Sequence, residues 1–290
     1  MRIDLHTHST ASDGTEPPSG VVESAARAGL DVVALTDHDT TSGWADALAA
    51  GERLGVRVVP GMEVSCLLRG VSVHLLSYWH DPADAALEGM LDASRTSRRT
   101  RARRMVERLS ADTGLHWDDV LAHVHGQATI GRPHIADALV AAGVVGDRDE
   151  AFATLLSGRS PYFVPHTAPD PLEAIALVRA AGGVPVLAHP AASKRGSCVG
   201  DAEVEAMAES GLAGLEVDHR DHSDAERRHL RDLARSLDLL VTGSSDYHGT
   251  GKRNLLGENT TDPEVLEQLR TRAGTGGGAP ASTGREVRPA

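Results

Sequence analysis

The chain has 290 residues, enough for one large α/β domain or two smaller ones. Its net charge of −12 argues against a general nucleic-acid binder, and its apolar stretches are shorter than the roughly 18 residues of a membrane span. The two cysteines, Cys66 and Cys198, exclude a disulfide framework and a cysteine-based zinc site, and they favour a cytoplasmic location.

Short apolar runs alternate with helical patterns along most of the chain. We interpret as strands the runs at residues 3–5, 32–35, 56–59, 71–76, 184–188, 215–217 and 239–242. The first two helical patterns end at Gly29 and Gly55, and three more lie at residues 170–183, 201–211 and 223–238. This alternation predicts a mostly parallel α/β sheet, and seven such strands favour a closed or nearly closed barrel over an open sheet.

One segment departs from this alternation. Residues 81–163 contain several helical patterns and no convincing buried strand. We therefore predict a helical insert that forms a small second domain, with residues 1–80 and 164–272 forming the barrel. Residues 273–290 are rich in Gly, Ala, Ser and Pro, a composition that predicts a disordered tail.

Histidines and carboxylates accompany every predicted strand. They are His6 and His8 after the first strand, Asp37, His38 and Asp39 after the second, Glu63 after the third, His74 within the fourth, His189 after the fifth, Glu216, His219 and His222 at the sixth, and Asp246 and His248 after the seventh. The carboxyl ends of barrel strands meet at one face. We therefore expect these side chains to line a single mouth.

Each histidine taken alone has an ordinary alternative as a hydrogen-bonded polar residue. We assign that alternative to His80, His116, His123, His125, His166 and His229. The coincidence across seven strands favours a metal site for the others. Imidazoles and carboxylates without thiolates suit zinc, manganese or iron, and about nine such ligands would suit two or three divalent ions.

Five motifs carry a family resemblance. The stretches DLHTHSTASDG, ALTDHDT, GMEVS, VLAHP and GSSDYHG, in this order, resemble the polymerase-and-histidinol-phosphatase (PHP) family of metal-dependent phosphoesterases. The segment GRPHIA in the helical insert makes the chain similar to one bacterial branch of the family. Members of that branch hydrolyse 3′,5′-bisphosphate nucleotides and trim short RNA from the 5′ end. The resemblance implies a distorted (β/α)7 barrel with a metal cluster at its mouth.

The same resemblance implies which residues hold the ions. The implied sets are His6, His8, Glu63 and Asp246 for one ion, Asp13, His38 and His248 for a second, and Glu63, His74 and His189 for a third. Glu63 would bridge two of them. Many relatives have a histidine at the place of Asp13, and the harder carboxylate here favours manganese or iron over zinc.

Outside the cluster, three residues are candidates for catalysis and substrate binding. We interpret His222 as the proton donor to the leaving group, with a structural role as its alternative. Arg132 and His134 lie at a predicted helix start, where free backbone N–H groups favour an anion, and we expect them to bind substrate. The arginines of residues 95–108 form either a solvated helix face or part of a second phosphate site.

Our leading hypothesis is a cytoplasmic phosphoesterase. It would hydrolyse 3′,5′-bisphosphate nucleotides or short 5′-phosphorylated RNA through a metal-bridging hydroxide. One alternative is a phosphatase for histidinol phosphate or another small monophosphate, and a non-enzymatic alternative is a catalytically silent metal-binding scaffold. We expect neither membrane association nor a stable nucleic-acid complex, and the sequence names no protein partner.

Overall fold

Seven strands form one barrel-shaped sheet. The structure, a computed structural model, describes residues 1–165, 167–193 and 198–274. In chain order, which is also the order of neighbours in the sheet, the strands are β1 (Ile3–Asp4), β2 (Val32–Leu35), β3 (Arg57–Leu68), β4 (Val71–Tyr78), β5 (Val184–Leu187), β6 (Gly214–Asp218) and β7 (Leu240–Gly243). The His8 N–H donates to the Tyr247 carbonyl at 2.8 Å, just beyond β1 and β7. The sheet is therefore nearly closed, as predicted.

The described residues include ten helices. They are α1 (Pro18–Arg27), α2 (Trp44–Leu54), α3 (Ala85–Thr113), α4 (Trp117–Leu121), α5 (Arg132–Ala141), α6 (Arg148–Ala153), α7 (Pro171–Ala180), α8 (Asp201–Glu209), α9 (Asp224–Ser236) and α10 (Pro263–Arg272). Gly29 and Gly55 both adopt φ of 71° just after α1 and α2. This left-handed conformation suits glycine, so both predicted helix stops are confirmed. Helix α10 lies where the sequence predicted no separate helix.

Strand β4 corrects one expectation about the barrel. It runs antiparallel to both β3 and β5, whereas the remaining neighbours are parallel. The two residues between β3 and β4, Arg69 and Gly70, have φ of 49° and 86°, as in a tight hairpin turn that matches the twist of its strands. The carboxyl end of β4 therefore does not meet those of its neighbours. Glu63 and His74 lie inside strands, and Glu63 does not follow β3 as expected.

Buried apolar side chains of the helical segment form a cluster of their own. It extends from Ala102 in α3 through α5 to Val164, and it includes Met105, Leu109 and Leu139. The first turns of α3 pack differently, since Leu87 and Leu91 join the cluster around β3 and β4. Helix α3 thus connects the barrel to the helical segment. The domain boundaries at 81–163 stay a prediction that this packing favours.

Two further observations concern the expected surroundings of the protein. Among the described residues, no helix has the length and apolar character to cross a membrane. Of the predicted disordered tail, only Ala273 and Gly274 belong to the described residues. Residues 275–290 lie outside them, and for these the tail stays a prediction. The Gly274 N–H donates to the Gly182 carbonyl at 2.9 Å.

Candidate metal centre

The first histidines lie directly beyond the short strand β1. Side chains two residues apart in an extended chain point the same way, and the Nε2 atoms of His6 and His8 lie 3.0 Å apart. Both rings are fully buried. The spacing therefore brings two imidazole nitrogens to one point, as the sequence predicted.

Glu63 occupies the centre of the histidines. Its Oε1 lies 2.7 Å from His74 Nδ1 and 3.1 Å from His189 Nε2. Its Oε2 lies 3.1 Å from His8 Nε2, 3.3 Å from His6 Nε2 and 3.2 Å from His38 Nδ1. A carboxylate with its two oxygens facing different imidazoles has the geometry of a bridging ligand.

Asp13 and Asp246 complete the cluster from two loops. Asp13 Oδ1 lies 3.3 Å from His248 Nε2, and its Oδ2 lies 3.8 Å from His38 Nε2. Asp246 Oδ1 lies 3.5 Å from the Nε2 atoms of His6 and His8. We call the cluster the metal centre. It consists of His6, His8, Asp13, His38, Glu63, His74, His189, Asp246 and His248, so the structure brings together all nine predicted ligands.

The ligand atoms fall into four overlapping sets, each with its atoms within 4.8 Å of one another. The sets are His8, Asp13, His38 and His248; His6, Glu63 and His189; His6, His8 and Asp246; and His38, Glu63 and His74. They share members with the sets that the resemblance implies. They differ from them in adding His8 to the Asp13 set, in separating Glu63 from His8 and Asp246, and in separating His74 from His189. The assignment of ligands to individual ions stays a prediction.

Several buried ring nitrogens fit a metal better than a hydrogen bond. Among the described residues, His38 Nδ1 and His248 Nε2 are buried without a hydrogen-bond partner. Each nevertheless lies within 3.3 Å of a carboxylate oxygen, of Glu63 and of Asp13 respectively. Buried polar atoms are normally hydrogen-bonded, so nitrogens and oxygens that converge without hydrogen-bond geometry are typical of metal ligands. The donor set therefore fits divalent cations.

Buried charges pull the pKa values within the metal centre in both directions. Burial alone would lower the pKa of His8, but hydrogen bonds with Asp246 and Glu63 raise it to about 9. Burial, assisted by Lys252 and the charge of His8, lowers the pKa of His248 to about 4. For Glu63 and Asp13, burial is outweighed by the surrounding histidines, which hold both pKa values well below the usual range. Both carboxylates are thus ionised and available as ligands.

Two residues in or directly after β6 extend the cluster in roles that the sequence did not assign. Glu216 Oε1 lies 3.0 Å from His6 Nδ1, and its Oε2 accepts the His189 N–H at 2.8 Å. His219 Nε2 lies 3.6 Å from Asp246 Oδ2. Ligating histidines commonly donate their second nitrogen to a carboxylate, which orients the ring. Glu216 has that position for His6. In the sequence, the motif LEVDH was the available signal for Glu216 and His219.

The backbone is strained where ligands leave their strands. His189 and Asp246 have φ of 30° and 55°, and Asp39 has φ of 52°. The left-handed region is unfavourable for residues with a Cβ, by about 1 kcal/mol or more. Such conformations persist where the surrounding fold fixes them, and here they point His189 and Asp246 into the metal centre.

His222 does not present a free nitrogen for proton transfer. Its Nδ1 donates to the Val217 carbonyl at 2.8 Å, and its Nε2 accepts the Ala191 N–H at 3.2 Å. Burial lowers its pKa, so the neutral ring is favoured. The geometry supports the structural alternative, in which His222 fixes the loop after His189. The role as proton donor stays a prediction without geometric support.

The predicted substrate residues lie at the start of α5. Arg132 donates to the Leu156 carbonyl at 3.0 Å, and its guanidinium lies 5.2 Å from the Phe152 ring centroid. His134 is buried, and its Nδ1 accepts the Gly131 N–H at 3.2 Å. Burial lowers the pKa of His134, while the charge of Asp13 acts in the opposite direction. His134 is therefore within electrostatic reach of the metal centre, whereas the Arg132 side chain contacts the insert.

Two arginines of the 95–108 run contact the barrel. Arg98 Nε lies 2.8 Å from Asp39 Oδ2, and Arg95 donates to the Asp39 carbonyl at 3.0 Å. After burial, nearby Arg132 and Arg98 lower the pKa of Arg101, to about 9. The charges of Arg98, Arg101 and Arg132 therefore act on one another within the insert, and Arg98 also contacts the carboxylate of Asp39. We call Arg98, Arg101 and Arg132 the arginine cluster.

The histidines that we interpreted as ordinary have various surroundings. His80 is buried against Trp44, His229 forms an exposed pair with Asp201, and His116 lies at the N-cap of α4. His123 and His125 line a cavity of about 390 Å³ beside Asp13, which the sequence did not suggest. His166 lies outside the described residues.

Comparisons with known proteins agree with this geometry. A family model described as PHP domain matches residues 4–141. The chain is 33% identical over 257 residues to a 3′,5′-nucleoside bisphosphate phosphatase of Chromobacterium violaceum, covering 86% of this chain and 88% of that protein. It is 34% identical over 262 residues to a phosphoribosyl 1,2-cyclic phosphate 1,2-diphosphodiesterase of Eggerthella lenta, covering 86% and 95%.

Two further similarities extend this finding. A 5′-3′ exoribonuclease of Haemophilus influenzae is 31% identical over 249 residues, covering 85% of this chain and 90% of that protein. Among solved structures, a protein of Bifidobacterium adolescentis described as a metal-dependent phosphoesterase superposes with a TM-score of 0.91 at 46% identity. That superposition covers 93% of this chain and 96% of the other.

Proposed function

The chain belongs to the PHP family, and from this membership we propose that it is a metal-dependent phosphoesterase acting on 3′,5′-bisphosphate nucleotides or short 5′-phosphorylated RNA. The observation that carries the proposal is the metal centre itself. Nine buried or nearly buried imidazoles and carboxylates converge there without thiolates. Divalent ions held by such ligands can generate the hydroxide that attacks a phosphate ester.

We propose two or three divalent ions, manganese, iron or zinc, as the resident cofactors. When bound, such ions lower the pKa of a bound water and neutralise phosphoryl oxygens. His6, His8, Asp13, His38, Glu63, His74, His189, Asp246 and His248 would hold them. Glu216 keeps His6 and the backbone of His189 in place. Neutral imidazoles and ionised carboxylates are the protonation states that ligation requires.

The arginine cluster supports a substrate with a second phosphate. Arg98 lies near Gly131 at the start of α5, and Arg132 is the next residue along the chain. Three guanidiniums with one nearby carboxylate leave an excess of positive charge in an otherwise acidic chain. A bisphosphate could place one phosphate at the metal centre and the other at this cluster. A monophosphate substrate would leave the cluster unused.

A hydrolysis screen that records both released phosphate and released mononucleotides tests the proposed activity, because cleavage of RNA releases a nucleotide and no free phosphate. Purified protein with added Mn²⁺ is assayed with 3′-phosphoadenosine 5′-phosphate, a 5′-phosphorylated oligoribonucleotide, phosphoribosyl 1,2-cyclic phosphate and histidinol phosphate. We expect turnover of one of the first two substrates and loss of that turnover in Glu63→Gln. Exposed Glu264→Gln on α10 serves as the matched control.

The remaining substrates in the screen represent competing functions. A preference for the cyclic phosphate would indicate the chemistry named for the Eggerthella lenta relative. A preference for histidinol phosphate would replace our substrate assignment with a monophosphatase. Absence of turnover with every substrate would favour the silent scaffold.

We also propose a cytoplasmic location. The cysteine content supports it, because two cysteines in 290 residues are too few for a disulfide framework. Such low cysteine usage suits a reducing compartment.

A further inference from the structure

We propose that Arg148, held by Asp137, is a positioning residue for the metal ligand Asp13. Through this pair, helix α5 of the insert is coupled to the metal centre. The inference rests on the proposed function, because it concerns the placement of one ligand of the metal cluster. It assigns a role to two residues that do not themselves belong to the cluster.

The Arg148 guanidinium joins three parts of the chain. Its Nε lies 2.5 Å from Asp137 Oδ1, and its Nη2 lies 2.6 Å from Asp137 Oδ2, a two-pronged pairing that fixes the plane of the group. The remaining nitrogen, Nη1, donates to the backbone carbonyl of Asp13 at 3.2 Å. Both side chains of the pair are largely shielded from solvent, with 15% and 26% exposure. Such a pair is less screened than a surface ion pair.

The same guanidinium packs against the loop that follows His248. A Cβ atom built on Gly251 would lie 2.2 Å from Arg148 Nη1, so the side chain rests directly on the Gly251 backbone. Arg148 therefore touches the two loops that bring together Asp13 and His248. These two ligands approach to 3.3 Å. Glycine at 251 is needed for this approach, since any side chain would displace the guanidinium.

The loop at residues 9–15, which we call the Asp13 loop, is held from the barrel, from the insert and from the loop after His248, where the Thr15 N–H donates to the His248 carbonyl at 3.2 Å. On the barrel side, Ser12 Oγ donates to Asp37 Oδ1 at 2.6 Å. From the insert, the Thr129 N–H donates to the Ala11 carbonyl at 3.1 Å, and Arg148 contacts Asp13 itself. A polar loop gains order only through such contacts, because each ordered residue costs conformational entropy. Removing the Arg148 contact would free the ligand residue most directly.

Asp137 connects this contact to the helix of the predicted substrate residues. It lies on α5, three residues beyond His134 and therefore on a neighbouring part of the same helix face. A substrate that contacts the start of α5 would act on the helix that holds Arg148. Binding at α5 and ion binding at Asp13 would then change each other's affinity by the same factor, since coupling between two sites is reciprocal.

The chain offers a matched control for the variants. Arg253 and Asp149 also connect α6 with the loop after His248, at 3.5 Å, but both are exposed, at 83% and 78%. The test compares wild type, Arg148→Ala, Arg148→Lys, Asp137→Asn and Arg253→Ala. Metal-stripped protein is titrated with Mn²⁺ to obtain the number of ions and each affinity. Hydrogen exchange of residues 9–16 is measured in the metal-free proteins.

We expect Arg148→Ala to weaken one Mn²⁺ site by about 10- to 100-fold, the usual effect of losing a residue that orients a ligand. The other ions should bind as in wild type, and exchange in residues 9–16 should become faster. Asp137→Asn should give a smaller effect in the same direction, and Arg148→Lys should restore part of the affinity. Arg253→Ala should match wild type in both measurements.

Three results would overturn the proposal. The first is an Arg148→Ala protein with wild-type Mn²⁺ affinities. The second is equal weakening of every ion together with a lower melting temperature, which would show a merely structural role. The third is unchanged exchange in the Asp13 loop of the metal-free protein. If wild type itself bound less than one equivalent of Mn²⁺ per chain, the proposed function would fail. Hydrogen exchange would still show whether Arg148 orders the Asp13 loop.

Discussion

Glu216 lies outside the nine predicted ligands and contacts two of them. Its two oxygens serve two ligands, the imidazole of His6 and the backbone N–H of His189. It is completely buried, and the charge of His6 helps to hold its pKa below the usual range against the effect of burial. An ionised carboxylate at this position favours ligation by raising the basicity of the His6 ring.

We predict that Glu216→Gln weakens metal binding. The amide keeps the shape of the side chain but removes the charge that acts on His6. Mn²⁺ titration should show an affinity lower by about 10-fold or more at the site of His6, as for other residues behind metal ligands. Glu267→Gln on α10, whose carboxylate pairs with the exposed Arg57, is the control. Unaltered affinity in Glu216→Gln would contradict the assigned role.

We expect the single residue His80 to make the folding stability sensitive to acid. It is buried, its Nδ1 pairs with Ser77 Oγ at 2.7 Å, and burial lowers its pKa to about 4. The unfolded chain takes up a proton near the ordinary pKa of 6.5, whereas the folded chain takes it up only near 4. The stability from neutral His80 is therefore complete above about pH 6.5 and decreases as the pH falls towards about 4.

His80→Asn should lessen this loss of stability. Between about pH 7 and about pH 4.5, we expect the His80 contribution to the free energy of unfolding to fall by about 2–3 kcal/mol in wild type. The asparagine has no proton to gain. Urea unfolding of the metal-free proteins at the two pH values measures the difference. Equal losses in wild type and variant would show that His80 does not titrate as described.

The residues of the metal centre could be predicted because their signal is local. His6 and His8 follow a short apolar run with a spacing of two, and Asp246 and His248 repeat that spacing after β7. The part played by Glu216 could not be predicted in this way. Its contact with His6 spans 210 positions of the chain and depends on barrel closure. For His222, the sequence predicts that the ring lies near the mouth. It does not predict the two backbone groups that form hydrogen bonds with the ring.

At the scale of elements, the helices of the insert determine which charges reach the mouth. Residues 95–108 carry several arginines on the single helix α3, so only part of the run can face the barrel. The structure turns Arg98 towards Asp39 and leaves Arg103 exposed. The rotation of a helix relative to its neighbour depends on packing, for which Ala102, Met105 and Leu109 are responsible here. The sequence predicted the run but not its inward members.

The arginine cluster leads to a prediction about substrate choice. Arg98→Ala and Arg132→Ala should each raise KM for 3′-phosphoadenosine 5′-phosphate by about 10-fold or more, since hydrogen bonds to charged groups contribute about 1.5–3 kcal/mol. KM for a small chromogenic monoester should change far less. Arg103→Ala on the exposed side of α3 is the control. Equal effects on both substrates would remove the second phosphate site.

Strand β4 illustrates a limit of reading direction from alternation. Its apolar run was predicted, and its antiparallel direction was not. The turn at Arg69 and Gly70 is only two residues long, which is too short for a crossover between parallel strands. A two-residue spacing of this kind indicates a hairpin. His74 still reaches Glu63 because both lie within the paired strands, where Ser65 is opposite His74.

At the scale of the molecule, the fold buries several carboxylates at one place, together with histidines that offset part of their charge. The chain carries a net charge of −12, and Asp13, Glu63, Glu216 and Asp246 are buried together at the mouth. Burying several carboxylates is costly unless cations accompany them. The histidines supply part of that compensation. Divalent ions would supply the remainder and stabilise the fold by mass action.

The metal content of the protein tests this account most directly. Elemental analysis of protein purified without chelators and dialysed against Mn²⁺ should find two or three divalent ions per chain. The same analysis should find fewer ions in Glu63→Gln, because Glu63 contacts five histidines of the centre. A wild-type protein that retains less than one ion per chain would contradict the account.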